Sequence, residues 1–374
     1  MQKADILISD RNRVIQNSIL LCLYMLFCFC FHFVSREIKP VITILIILTS
    51  LISLFYSRLD RLKIHYNFNI ATLWLGFIVL CFIIQVINST IEPVFLYLFA
   101  APAFAYFILE NKFDSKIIYL PILVISIFFV AFISSGQDLN KVFPHTSRNY
   151  ISVLMITNTA LINLVEIRQF RKITIWPSIL TLIFSLFATG RAGIICSTLL
   201  FIGTIFCRFD KLSSNRKILY FFIILIPSGI LIILFLDSIK IVFERMDFFT
   251  RFEKFGVIDD TRKLLLQSYI DNIDFKSLLL GYNYDTNPLF VKYVLNPHNS
   301  YIRLHHYVGI LFFPIILYLL YTLFKLFSQN KLYFIILIAL LIRGWTDSIF
   351  FLSEYDFFIV LFILIIYKSV NRDK

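Results

Sequence analysis

The sequence predicts an all-α, polytopic integral membrane protein of about twelve transmembrane helices, with one large loop late in the chain. Three observations carry that prediction. The 374 residues are 59% hydrophobic and only 16% charged, with 43 Phe and 19 Tyr, and the mean hydropathy is +0.83; soluble domains run at about 45–50% apolar and about 25% charged. Apolar runs long enough to cross a bilayer, about 17–25 residues each, recur between short charged segments. Lys and Arg are divided unequally between alternate segments. A soluble globular domain is excluded, and so are disorder, a coiled coil, a disulfide-stapled secreted fold and a collagen-like fibre, because Phe, Leu and Ile dominate while Gly, Pro and Cys are scarce.

The runs lie near residues 14–34, 40–57, 70–87, 93–109, 117–134, 150–166, 173–189, 192–207, 218–236, 305–327, 331–346 and 349–367. Val14 to Val34 is too long for a signal-peptide core and no small-residue cleavage site follows it, so it is expected to stay as a helix. An even number of spans puts both termini on one side. With that side cytoplasmic, the inner segments hold 20 Lys and Arg and the short outer segments hold 6; the other 9 lie in residues 237–304, a segment long enough to translocate regardless of its charge. The expected orientation is therefore N-in and C-in. The net charge of +12 reflects this sidedness, and no nucleic-acid partner is expected, since little sequence remains to build a soluble basic platform.

Three regions follow: a membrane domain of about nine helices over 1–236, an outer loop over 237–304, and about three C-terminal membrane helices over 305–374. The loop is the prime functional candidate, because binding and catalytic residues concentrate on loops held by a rigid scaffold. Within it, Asp260 to Leu280 carries Leu264, Leu265, Tyr269, Ile270, Ile273 and Leu278 at near-helical spacing with Gly281 after them, which predicts a short amphipathic helix at the membrane–water interface. No internal repeat is evident, which weighs against a transporter built from repeated halves. All six cysteines, Cys22, Cys28, Cys30, Cys81, Cys196 and Cys207, fall inside apolar runs and imply neither a disulfide frame nor a metal site.

Chemistry is carried by a few polar residues. Arg191 stands in Ala188-Thr-Gly-Arg-Ala-Gly193, a break between two apolar runs; it is either an interfacial anchor or part of an anion site whose glycines let a diphosphate approach. Arg262 opens the loop helix, and Arg343 is either a second anion ligand or the i, i+4 partner of Asp347. The cluster Asn296-Pro-His-Asn-Ser-Tyr-Ile-Arg-Leu-His-His-Tyr-Val-Gly309 places His298, a potential general base near neutral pH, at the junction of loop and membrane. A zinc reading of its three histidines lacks a completing ligand set. His305 and His306 read as interface residues, and Asn88-Ser-Thr90 is only a formal glycosylation sequon.

At these residues the chain resembles the O-antigen ligase and polymerase family of bacterial membrane glycosyltransferases. The resemblance covers about residues 145–350 and rests on Thr189-Gly-Arg191-Ala-Gly193, on Arg262 followed by Gly281-Tyr-Asn283, and on His298-Asn299 with Gly309 ten residues after Asn299. It implies a GT-C-like architecture in the bacterial inner membrane, a periplasmic loop, and a donor sugar linked to undecaprenyl diphosphate. It further implies that Arg191 and Arg262, helped by Arg303 and Arg343, bind the diphosphate. His298 would be the base or a diphosphate ligand, and Asn299 would orient the sugar or the imidazole. The partners implied are the lipid-linked oligosaccharide and the bilayer, with a flippase and a chain-length regulator as further candidates. Phe312 replaces the small residue of the ligase-like ending, which favours a polymerase over the alternative, a ligase moving polymer onto lipid A–core. A lipid-linked oligosaccharide flippase is a remoter reading, because charges cluster at helix ends rather than at the bilayer midplane. The first outer loop, Ser35 to Lys39, holds the single carboxylate Glu37 between two cations, so a metal-independent enzyme with no cofactor is expected.

Overall fold

A computed structural model describes residues 2–57, 64–90, 92–144, 146–210 and 260–372. The helices are α1 (Gln2–Phe33), α2 (Lys39–Tyr56), α3 (Ile64–Asn88), α4 (Tyr97–Glu110), α5 (Leu120–Ser134), α6 (Asn149–Phe170), α7 (Trp176–Phe187) and α8 (Arg191–Asp210). They continue as α9 (Asp260–Asp271), α10 (Phe275–Leu280), α11 (Pro288–Lys292), α12 (Ser300–Val308), α13 (Phe312–Gln329), α14 (Lys331–Thr346) and α15 (Phe357–Arg372). Among the described residues there is no strand. Within those residues, seven segments are long and apolar enough to cross a membrane: Asp10–Phe33, Lys39–Tyr56, Pro93–Glu110, Ile117–Ser134, Asn149–Phe170, Arg191–Asp210 and Ser300–Gln329. Shorter apolar helices cover Trp74–Asn88, Trp176–Phe187 and Phe357–Val370. The chain is an all-α protein of the polytopic membrane type. The span expected at 218–236 and the loop residues up to 259 lie outside the described residues.

Burial explains which helix goes where. The membrane-spanning window of α6 is buried along its whole length, and this helix carries Thr157, Thr159, Asn163 and Glu166, groups too costly to face lipid. Thr159 reaches the Thr181 hydroxyl at 2.7 Å and donates to the Pro177 carbonyl at 3.1 Å, while Thr181 donates to Met155 O at 3.0 Å, tying α6 to α7. Such interhelical bonds contribute about 0.6 kcal/mol on average inside a membrane. Apolar side chains take the outside: Phe55, Ile127, Leu317 and Phe324 are exposed.

Helix ends alternate between the two ends of the bundle. At one end Arg13 donates to Tyr56 O (2.7 Å), Arg168 to Ile108 O, and Arg208 to Ile173 O (3.2 Å), while Lys368 pairs with Glu110. The early part of α1 and the last turns of α15 therefore share an end. At the other, Thr146 donates to His32 O (3.0 Å), Arg343 to Asn149 O (2.9 Å), and Asn88 to Leu280 O and Gly281 O (2.7 and 2.6 Å). Residues 260–299 sit at this second end, called here the loop end.

Three expectations are corrected by local chemistry. The single helix expected over 260–280 is two, because Asp274 caps a new helix by accepting the Ser277 N–H at 2.7 Å. The third region begins in helix at Ser300 rather than at 305, with Asn299 as its N-cap. The last span starts at Phe357 rather than near 349, because the Asp356 carboxylate gathers the N–H groups of Phe351 (2.6 Å) and Ser353 (3.1 Å) and folds residues 347–356 into a buried loop.

The loop segment has a small core of its own, Leu265, Tyr269, Tyr284, Phe290 and Ile302. It docks on the membrane helices through backbone-to-backbone contact at two glycines. Gly281 (φ +89°) and Gly309 (φ +52°) leave no room for a side chain: a Cβ at Gly309 would lie 2.1 Å from Leu279 O, and one at Gly281 would lie 2.4 Å from His305 O. Gly309→Ala is therefore expected to destabilise the protein by about 1–3 kcal/mol through overpacking, whereas Gly76→Ala, which meets nothing within 4 Å, is expected to leave it unchanged. Thermal melts of the two variants in the same detergent check this.

Candidate active site

The site is built where α12 enters the bundle. Asn299 spends its carboxamide oxygen capping α12, accepting N–H groups from Tyr301 (2.8 Å) and Ile302 (3.3 Å). Asn296 accepts the His298 N–H at 2.9 Å and the Ser348 hydroxyl at 3.0 Å. Between them His298 is held at φ +48°, a left-handed conformation costing a non-glycine residue roughly 1–2 kcal/mol. Strain of this kind persists only where neighbours over-determine it. Here it aims the imidazole at α14, with Nδ1 3.5 Å from Asp347 Oδ1.

Asp347 is the hub. It is 1% exposed just beyond the last turn of α14, and its Oδ2 lies 2.5 Å from Arg343 Nη1 and 3.7 Å from Arg262 Nη2. Three groups far apart in sequence, Arg262, His298 and Arg343, thus converge on one carboxylate. Ser300 locks the geometry, donating to Asp347 O at 2.7 Å and accepting the Ile349 and Phe350 N–H groups at 3.0 Å. Burial by itself raises the Asp347 pKa, but the Arg343 charge, the neighbouring His298 imidazole and the Arg262 charge outweigh it and hold the carboxyl at about 2. Because the folded value is depressed, the stabilisation is complete above the unfolded value near 4 and is lost as pH falls toward 2. Melting temperature is expected to drop steeply across that window, and to drop less steeply in Asp347→Asn.

The predicted cations take different places. Arg343 is 1% exposed and is consumed by Asp347, by Thr346 Oγ1 (2.8 Å) and by Asn149 O; it is the counter-ion of the hub and does not open to a ligand. Arg262, whose side chain is 22% exposed, does. Arg191 begins α8 directly after Gly190, where a Cβ would lie 3.0 Å from Asn149 Oδ1, so the Thr-Gly-Arg break abuts the residue whose carbonyl holds Arg343. Arg303 belongs elsewhere. Its guanidinium donates to Leu352 O (2.8 Å) and Ser348 O (3.5 Å), and it lines a cavity of about 220 Å³ together with Glu92, Tyr150, Tyr284, Asp285 and Tyr307.

The two histidines of α12 are structural. His305 Nδ1 accepts the Tyr269 hydroxyl at 2.8 Å and Nε2 donates to Leu278 O at 3.2 Å; His306 Nδ1 donates to Tyr282 O at 2.9 Å and its ring stacks on Tyr284 at 4.1 Å. Both pin the loop to α12. Asn88 serves the same docking through its side-chain amide. Among the described residues no group of three or more His, Cys, Asp or Glu converges as a metal site.

No family model matches the chain, and neither does any curated protein or solved structure. The site therefore rests on its own geometry. Sequence reasoning named Asp347 only as a partner of Arg343 and missed its pairing with His298, because a contact across the bundle between residues 298 and 347 has no periodicity to announce it. It also missed the carboxylates of Ser353-Glu-Tyr-Asp356, although an acidic pair inside an apolar stretch is a visible signal. Glu354 lies 3.2 Å from His32 Nε2 and its backbone carbonyl accepts the Tyr24 hydroxyl, joining α1 to the loop before α15.

Proposed function

We propose that the protein is a surface-polysaccharide polymerase of the bacterial inner membrane, joining undecaprenyl-diphosphate-linked repeat units at the periplasmic face by inverting glycosyl transfer. In this reading it is a GT-C-like bundle of about twelve spans, with both termini cytoplasmic and the loop end periplasmic. The observation that carries the proposal is the His298–Asp347 pair with Arg262 on the same carboxylate. Asp347 Oδ1, 3.5 Å from His298 Nδ1, favours the tautomer with the proton on Nδ1 and stabilises the imidazolium by its charge, leaving Nε2 to take the proton of an acceptor hydroxyl. The acceptor oxygen then bonds to the anomeric carbon of the donor while that carbon's bond to the diphosphate breaks. The leaving diphosphate gains negative charge, which Arg262 and Arg191 stabilise.

The alternative acceptor, lipid A–core, would make the protein a ligase with the same chemistry. The test is a lipopolysaccharide gel from the deletion strain of the source bacterium, complemented with wild type or with His298→Ala. Core bearing a single repeat unit, with the ladder lost, is the expected result for His298→Ala. Bare core with long polymer left on the lipid carrier reassigns the protein to ligation. An unchanged ladder overturns both. The first outer loop holds Glu37 between Arg36 and Lys39 and offers no acidic pair for a divalent ion, so transfer by the purified protein is expected to survive EDTA.

A further inference from the structure

The cavity beside the dyad has a chemistry unlike that of the arginine cluster. Its wall includes Asn296 and Pro297, next to His298, and Ser348, next to Asp347, so it shares a boundary with the proposed base. Its volume of about 220 Å³ falls below the roughly 300 Å³ at which drug-sized sites begin. That is room for one sugar residue, not for a repeat unit with its diphosphate.

The polar groups with hydrogen-bonding capacity to spare are acceptors and hydroxyls, joined by one neutral donor, the Asn296 side-chain amide, whose oxygen is already used. The Asp285 carboxylate accepts no hydrogen bond from another described residue, and the Tyr150 and Tyr284 hydroxyls have no hydrogen-bond partner among the described residues, although all three groups line the cavity. Glu92 uses Oε2 to accept the Tyr307 hydroxyl at 2.8 Å, leaving Oε1. The cation of the cavity is already engaged: Arg303 is tied to the Leu352 and Ser348 carbonyls and lies over the Tyr307 ring, 5.9 Å from its centroid. With two carboxylates against one guanidinium, an anion entering here meets net repulsion, while sugar hydroxyls or an amino group meet strong acceptors.

We infer that this cavity is the acceptor subsite, and that it takes the terminal residue of the acceptor glycan as a neutral or amino pyranose held by Asp285, Glu92 and Tyr284. The role as acceptor site rests on the transferase reading above; the sugar binding does not. Arg303 orders the cavity and is not a diphosphate ligand.

The experiment uses the full-length protein in nanodiscs and measures binding by saturation-transfer NMR and titration. The probes are the methyl glycosides of glucose, galactose, mannose, rhamnose and glucosamine, with methyl glucuronide and methyl galacturonide as the anionic set. At least one neutral or amino glycoside is expected to bind, with both uronides about tenfold weaker or absent. Asp285→Asn keeps the shape but removes one charge-assisted hydrogen bond and is expected to weaken binding by about tenfold; Tyr284→Phe is expected to weaken it by a few-fold. Binding of none of the five, preference for a uronide, or affinity indifferent to Asp285→Asn each overturns the inference. Transfer from a lipid diphosphate donor is measured on the same preparations. Sugar binding that responds to Asp285→Asn without any transfer by wild type overturns the transferase reading and leaves the subsite standing. Transfer with an acceptor KM unmoved by Asp285→Asn overturns the subsite alone.

Discussion

His298→Ala is expected to lower the rate of polymer formation by about 10²–10⁴-fold, the contribution of a positioned general base, while the melting temperature changes little. The side chain is 25% exposed, and Ala keeps the Cβ that makes the left-handed backbone costly, so the substitution removes the imidazole and its contact with Asp347 while leaving that strain as it was. Asp347→Ala is expected to match that loss of rate and also to destabilise the fold by about 3–5 kcal/mol, because Arg343 would then be a buried charge without its partner. The informative variant is Asp347→Asn, which preserves shape but cannot favour the Nδ1–H tautomer or stabilise the imidazolium. If the two residues act as one unit, the double variant His298→Ala, Asp347→Asn is no slower than either single variant. Rates that multiply, or substantial activity in His298→Gln, would show that the imidazole serves as a hydrogen-bond donor to the substrate and not as a base.

The sequence makes the bundle legible because burying a backbone in lipid leaves helices as the economical solution, and each span must then announce itself as an apolar run. That logic finds α2, α5 and α8 within a residue or three of their observed ends. It fails where an apolar run is folded by a polar side chain instead of by lipid. Ile349 to Leu352 read as the start of a helix, yet Asp356 captures their backbone and makes a turn with Phe351 and Leu352 at positive φ. The same limit governs the site. Motif residues at 191, 262, 298 and 343 are visible singly, but the carboxylate that joins three of them is seen only once α12 and α14 are packed. The glycines 281 and 309, legible as motif positions, acquire a cause in the structure: each lets one backbone rest on another.

Arg262→Ala should separate electrostatics from architecture. Its ion pair with Asp347 is long, 3.7 Å, and partly open to solvent, so its loss is expected to cost at most about 1 kcal/mol of stability. Arg343→Ala, which would strip Asp347 of its close partner in a fully buried setting, is expected to cost several times more. If Arg262 stabilises the departing diphosphate, its removal should lower kcat by about 10²–10³-fold, as loss of one preorganised donor does, with a smaller change in donor KM. Charge accumulates on the leaving oxygen only as the glycosidic bond breaks, so the interaction is realised chiefly in the transition state and must appear in kcat. Lysine restores a point charge but not a planar fork; Arg262→Lys is therefore expected to recover part of the rate. A raised KM at unchanged kcat would instead make Arg262 a ground-state anchor for the lipid diphosphate, and would leave the acceleration to be sought at Arg191, across Asn149 from the same carboxylate hub.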